Sequence, residues 1–390
     1  MAEGARRGRI LCISFSDINR DSRVLRQLDV LAELGDVTTV GYGEKPSAAT
    51  EHLAIDENLP SLPQTPVGVA LLALRRFRRV EFSAPAVRAA LRVVGDRRFD
   101  VVVANEARAM AAAHRIAAGT PILADMHEWA PEERAQVLSW RLLVKPFMTD
   151  QCRRYLPKMA AVTVVNDSIG RLYQEGFGIL PRTVRNAGPF RELRPSEVRD
   201  GRIRLVHSGG AVPGRNIEAL IEAVRQLDER FTLDLYLVPA RDGGKYLDGI
   251  RALIGDESRI TLHPPVGATE LVDTLNQYDV GIFSLPPLTP NHRLMLPNKI
   301  FDFIQARLAV VFGSAVETDR LITENELGVI APDATAQAMR DTLAPLTEQQ
   351  VRVFKQNTDK AAKVLNSAED SAVTRTVVTG LLAGTSGTAQ

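Results

Sequence analysis

Residues 203–224, IRLVHSGGAVPGRNIEALIEAV, set the reading of this chain. The run IRLVHSG is short, apolar and rich in branched residues. It passes through a turn with Gly209, Gly210 and Gly214 into a stretch where Leu220, Ile221 and Val224 recur on one helical face. A strand, a glycine-rich turn and a helix in that order form the first half of a βαβ unit.

The same alternation runs outward in both directions. LDLYLV, ITLH, VGIFSL, AVVFG and GVIAP follow as strand candidates, with a helix over about 298–306. Upstream, ILCIS, VTTVGY, DVVVAN, PILAD and AVTVVN make a second series. Each is apolar at successive positions, as parallel strands covered on both faces are. The helix over 21–34 carries Val24, Leu28 and Leu31 at helical spacing, and Gly35 stops it. NAGPFRELRPSEVRDG, 186–201, has two prolines, two glycines and many charges and reads as a linker. The expected fold is α/β, with two Rossmann-like domains facing across a cleft and a C-terminal helix packing back across both. Its parts are 1–186, a linker over 187–201, 202–365, and 366–390 as a helix returning toward the first domain with a disordered tail after Leu382. Ligands bind such sheets beyond the carboxyl ends of their strands.

A length of 390 residues exceeds what one core serves, which agrees with two domains. The net charge of +1 argues against a nucleic-acid binder, which needs a basic excess. Cys12 and Cys152 form no C-x-x-C pair, so neither a zinc site nor a disulfide framework is expected, and both thiols are expected to stay reduced. MAEGARRGRILCIS runs directly into a strand and does not read as a signal peptide. The longest uncharged apolar segment, Val67 to Leu74, is too short to span a bilayer. The expected location is therefore cytoplasmic. No P-loop, G-x-G-x-x-G fingerprint, zincin pair or G-x-S-x-G elbow is present, which removes the main support for the corresponding enzyme classes.

Four segments carry residues suited to chemistry. FSDINRDSRV follows the first strand; Asp21 and Ser22 can cap the next helix, and Arg23 can pair locally. His127 follows PILAD at the end of a central strand, where it can donate to a sugar hydroxyl or carry a proton near neutral pH. The turn HSGGAVPGRN lets backbone approach a ligand, and Arg215 can hold a diphosphate there. In NHRLMLPNKIFDF, Lys299 can neutralise phosphate and Asp302, one turn on, can accept from two ribose hydroxyls.

LPNKIFDFIQARLAVVFGS resembles the nucleotide-sugar signature of glycosyltransferase family 4, of the GT-B fold. DSRVLRQLDVLAELGDVTTVG, PILADMHEWAPE, VTVVNDSIGRLYQEGFG and HSGGAVPGRNIEALIEAV extend the resemblance over nearly the whole chain, in the right order. It implies a retaining transfer from a UDP-, GDP- or related sugar, with no cofactor and no obligatory metal. By position, it implies that Arg215, Lys299, Gly209 and Gly210 bind the donor diphosphate and that Asp302 holds the ribose. Pro265 and Val266 would lie against the base, and His127 would touch the transferring sugar. Asp17, Asn19 and Arg20 would approach the sugar or the acceptor. The catalytic set so implied is His127, Arg215 and Lys299. Two departures stand out. The family usually has Glu at the place of Asp302, and many members have an acid at the place of Leu294, beside His292 and Arg293.

The implied partners are a nucleotide-sugar donor and a saccharide, lipid-linked or small-molecule acceptor. Residues 75–98 hold eight arginines, with Phe77, Val80, Phe82 and Leu91 between them, a pattern suited either to a solvated helical face or to peripheral contact with anionic membrane. A sugar-nucleotide epimerase of the same fold and a non-catalytic sugar-nucleotide-binding protein are the alternatives. The epimerase needs acids facing the sugar, and Leu294 weakens it.

Overall fold

The computed structural model describes residues 7–386 apart from 241. The chain divides into two compact units. One holds residues up to Arg185 together with those from Glu369 onward; the other is Asn186–Ala368.

The first unit is a seven-stranded sheet of β1 (Gly8–Asp17), β2 (Gly35–Tyr42), β3 (Glu51–Ala54), β4 (Val101–Asn105), β5 (Ile122–Met126), β6 (Ala161–Val164) and β7 (Arg182–Thr183). Their order is β3-β2-β1-β4-β5-β6-β7, and every pair is parallel. The second unit is a six-stranded sheet of β8 (Ile203–Ala211), β9 (Phe231–Pro239), β10 (Ile260–His263), β11 (Val280–Phe283), β12 (Ala309–Gly313) and β13 (Gly328–Ala331). Its order is β10-β9-β8-β11-β12-β13, again all parallel. β4, β5 and β12 are buried at every position, as strands covered on both faces must be. In each sheet the strand order reverses once, beside β1 and β4 in the first and beside β8 and β11 in the second. Loops at such a reversal diverge and leave a crevice at the carboxyl ends.

Every expected strand is present. Two further ones, β3 and β7, are short edge strands with no buried position. The first expected helix runs Ser22–Leu34, and the Asp21 carboxylate accepts from the Val24 N–H at 3.2 Å. Gly35 ends it in an extended conformation rather than a left-handed one. The added Cβ of any other residue there would lie 2.2 Å from the Gly8 carbonyl oxygen, so Gly35 serves the close approach of β2 to β1.

Residues 187–201, expected as a linker, are held on the second unit. Ala187 and Val198 are buried in its cores, and the Arg191 N–H donates to Gln305. Arg307, buried at a left-handed position, donates to Asp359 at 2.7 Å and to the Arg191 carbonyl at 2.7 Å, fastening this segment to the end of the helix Asn298–Gln305. The C-terminal region forms two helices, Glu348–Ala362 on the second unit and Ser367–Ser386, whose Val377 and Val378 join the β1 core of the first. The tail expected to be disordered after Leu382 is helical through Ser386; residues 387–390 lie outside the described residues. Among the described residues, no helix is long and apolar enough to cross a membrane.

Gly281 on β11 shows how tightly the second sheet packs on the helix Asn298–Gln305. A Cβ there would sit 2.4 Å from the ring of fully buried Phe303. Gly281→Ala should lower the unfolding free energy by about 1–3 kcal/mol in urea denaturation. Gly249→Ala, in the helix Lys245–Ile254 with nothing within 4 Å, should leave it unchanged or raise it.

Candidate functional site

In the second unit, β8 pairs with β9 as far as Ala211↔Pro239, whereas β11 is matched to it only at Leu205 and Val206. Gly209 and Gly210 thus lie at the end of a strand that outruns its neighbour, not in the turn expected for them. Gly209 has φ +148, and a Cβ there would meet the Lys299 ammonium at 2.4 Å. The backbone can come this close to a lysine because glycine has no side chain. The turn ends at Asn216, in left-handed conformation, whose amide donates to the Ala334 carbonyl at 2.7 Å and fixes the start of the helix Ile217–Arg225.

Lys299 is the second residue of the helix Asn298–Gln305. Its Nζ lies 5.6 Å from the centre of the Phe283 ring, at the carboxyl end of β11. It has no hydrogen-bond or ion-pair partner among the described residues. Burial, and next the charge of Arg215, lower its pKa to about 8, while Asp302 pulls the other way. Arg215 is exposed and likewise has no side-chain partner among the described residues. Below them His207 is buried, with Nδ1 3.0 Å from the Ile282 carbonyl, so that Nδ1 carries the hydrogen. Burial, Lys299 and then Arg215 push its pKa to about 3, which keeps it neutral. Burial and Arg215 also lower the pKa of His292. The structure therefore brings Gly209, Arg215, Lys299 and Asp302 together in a cluster of net positive charge. His207, not singled out from the sequence, supplies its neutral floor. Pro265 and Val266 follow β10, two strands away from β8 on the same carboxyl edge of the parallel sheet; Pro265 is exposed and Val266 packs partly on the core. Near them Tyr236 stacks on His263 with ring centres 4.7 Å apart.

His127, Asp17, Asn19 and Arg20 belong to the first unit. The last three brace their own loop. Arg20 pairs with Asp17 at 3.2 Å, and Asn19 donates to the Glu44 carbonyl at 2.9 Å. His127 directly follows β5, and both ring nitrogens are engaged. Nδ1 is 3.2 Å from Glu106, and Nε2 is 3.4 Å from Asp125 and 3.2 Å from Asn105. Burial opposes its charge, but Glu106 and Asp125 together raise its pKa to about 10. His127 is thus held as an imidazolium through neutral pH. Burial likewise works against the ionised form of Asp125, and Arg23 with His127 overcomes it, holding the carboxyl well below the usual range. Arg23 does not pair locally; it reaches across the sheet to Asp125 through Nε at 2.9 Å and Nη2 at 2.6 Å. Gln27 and Thr163 also donate to Asp125, at 3.2 and 2.7 Å. Glu106 has φ +71, an unfavourable conformation for a side-chain-bearing residue that the pairing with His127 helps to hold. Glu106 and Asp125 were missed in sequence, although each ends or follows an otherwise apolar strand. Cys12 lies in the same network, and burial pushes its thiol up to about 12.

The His127 pKa rises from 6.5 to about 10, so its stabilising contribution is complete below about 6.5 and is lost as pH climbs through 10. The lowered Glu106 and Asp125 contribute above their ordinary values of 4.5 and 3.8 and lose that contribution on acidification. His127→Ala should destabilise the first unit by about 3 kcal/mol, because it leaves Glu106 and Asp125 facing each other. It should also flatten the fall in melting temperature between pH 6.5 and 10 that calorimetry of the unaltered chain would show.

Residues 23–187 match Glycosyltransferase Family 4. No curated protein matches the chain in sequence. Among solved structures, it is similar to Anabaena HepE in complex with UDP-glucose, at TM-score 0.69 and 13% identity, covering 96% of this chain and 100% of that one. It is also similar to a sucrose-phosphate synthase from Thermosynechococcus elongatus, at TM-score 0.71 and 15% identity, covering 97% and 100%. A glycosyltransferase from Rickettsia africae follows at TM-score 0.66 and 12% identity, covering 96% and 99%. The family match lies over the first unit, and the fold of both units is the GT-B fold shared with these structures.

Proposed function

We propose that the chain moves a glycosyl group, with retention at the anomeric carbon, from a nucleoside-diphosphate sugar held by the second unit to an acceptor hydroxyl. One observation carries this reading: Lys299, partly desolvated and lacking a protein counter-ion among the described residues, is pressed against the Gly209 backbone with Arg215 nearby. A cation placed this way is stabilised by an anion from outside, and two cations with a glycine strand end suit a diphosphate. The similarity in fold to a structure that holds UDP-glucose supports a UDP-type donor.

In this mechanism the bond between the anomeric carbon and the phosphate oxygen breaks, and its electron pair goes to the diphosphate. Arg215, Lys299 and the backbone at Gly209 and Gly210 stabilise the charge that builds there. Asp302 holds the ribose, and the loop of Pro265 and Val266 holds the base. The acceptor oxygen bonds to the same face of the anomeric carbon, and its proton passes to the leaving phosphate. No protein nucleophile and no metal takes part. His127, as a fixed cation, orients groups around the transferring sugar and moves no proton. The acceptor is a saccharide, a lipid-linked molecule or a small molecule with a free hydroxyl.

Lys299→Ala and Arg215→Ala should each lower transfer by about 100- to 1000-fold in a mass-spectrometric donor screen, with unchanged melting temperature. Near-normal turnover in either variant would remove these roles. A product carrying the sugar separates a transferase from an epimerase, and consumption of donor separates both from a binding protein.

A further inference from the structure

The arginine-rich stretch 75–98 does not form an amphipathic helix with its own apolar residues outward. Val80 is fully buried, and Phe82 and Leu91 pack on the small core of Ala84, Val87 and Ala112. All eight arginines are exposed. Of the two acids in the stretch, Glu81 is buried and turned inward to Arg154 and Tyr155, and Asp96 is exposed beside Arg97. Arg75, Arg76, Arg78 and Arg79 have no side-chain partner among the described residues.

Apolar surface lies immediately beside them, from other residues. The helix Pro66–Ala73 has no charged or polar side chain, and its solvent face is Val67, Val69, Ala70 and Ala73, continued by Leu74. Val67 is 69% exposed and Leu74 is 68%. A helix apolar on all sides is ordinarily buried, and this one is not. It packs beside the turn Trp140–Val144. Trp140 anchors that turn by donating to the Pro131 carbonyl at 3.0 Å, which leaves Leu138 and Leu142 outward at 59% and 56% exposed. Arg134 and Arg141 are exposed around them. Ser61, just before the helix, lies 3.5 Å from Arg108, which stands in the first turn beyond the carboxyl end of β4. The apolar surface is therefore at the same end of the first sheet as His127.

We infer that this surface docks on an anionic lipid bilayer. Val67, Val69, Leu74, Leu138 and Leu142 enter the boundary between headgroups and acyl chains, and the surrounding arginines lie among the anionic headgroups. A flat anionic interface meets both the apolar face and the arginines, with apolar depth bordered by negative charge. The eight-residue helix is far too short to span, so the contact is peripheral. Docking goes beyond glycosyl transfer and does not depend on it, because vesicles carry no sugar donor.

The full chain should co-sediment with vesicles of about one-third phosphatidylglycerol in phosphatidylcholine and not with phosphatidylcholine alone. Raising salt from about 0.1 M to about 0.5 M should weaken binding at least tenfold. The double variant Val67→Glu, Leu74→Glu should bind at least about tenfold more weakly while keeping its melting temperature, since both sites are exposed. The quadruple change of Arg75, Arg76, Arg78 and Arg79 to Gln should weaken binding and remove most of its salt dependence. Absence of binding to anionic vesicles would overturn the inference. So would unchanged binding by the Val67, Leu74 variant. A dimer in light scattering that this variant converts to monomer, with vesicle binding unaffected, would instead assign the surface to self-association.

Discussion

A lysine ammonium drawn partly out of water, with no ion-pair partner among the described residues, favours an anion from elsewhere or gives up its proton. Lys299 is in that state, and the second unit is arranged around it. β8 outruns β11 so that its glycine backbone passes directly against the ammonium. His207 beneath stays neutral, so the floor adds no charge. Arg215 adds a second cation from the turn. Phe283 offers only its ring face. A protein built for stability alone would have matched these cations, because an uncompensated charge out of water is costly. Leaving them unmatched is what the proposed diphosphate site requires.

The first unit solves the opposite problem. Asp125 is almost fully buried yet ionised, and Arg23, Gln27, Thr163 and His127 all converge on it. His127 is thereby locked between two carboxylates at the carboxyl end of β5. The network keeps His127 charged and Glu106 and Asp125 ionised, while burial and next the charges of Glu106 and Glu133 raise the pKa of adjacent Glu128 to about 8. The outward face of this unit carries the apolar helix Pro66–Ala73 and the unmatched arginines, which its own core leaves uncovered.

The two sheets were legible because parallel strands buried on both faces show themselves as unbroken runs of branched residues. β3 and β7 were not, since EHLA and RT are short edge strands without an apolar run. Gly209, Arg215, Lys299 and Asp302 could be grouped because a glycine turn and a Lys–Asp helix start each have a local signature. The carboxylates around His127 had none. Glu106 follows β4 and Arg23 lies in the first turn of the helix after β1, 21 and 104 positions away in sequence, and only the order β1-β4-β5 brings them to it. Residues 75–98 were misjudged for the same reason: spacing alone cannot say whether Val80, Phe82 and Leu91 face solvent or the neighbouring helix.

Calorimetric titration with a nucleoside diphosphate, in two buffers of different ionisation heat, tests the Lys299 site most directly. With a pKa of about 8 in the free protein, Lys299 is mostly protonated at pH 7 and mostly neutral at pH 9. Binding should therefore take up about one proton per diphosphate at pH 9 and few at pH 7, and that uptake should vanish in Lys299→Arg. Equal affinity at both pH values with no proton taken up, or no binding at all, would contradict the account.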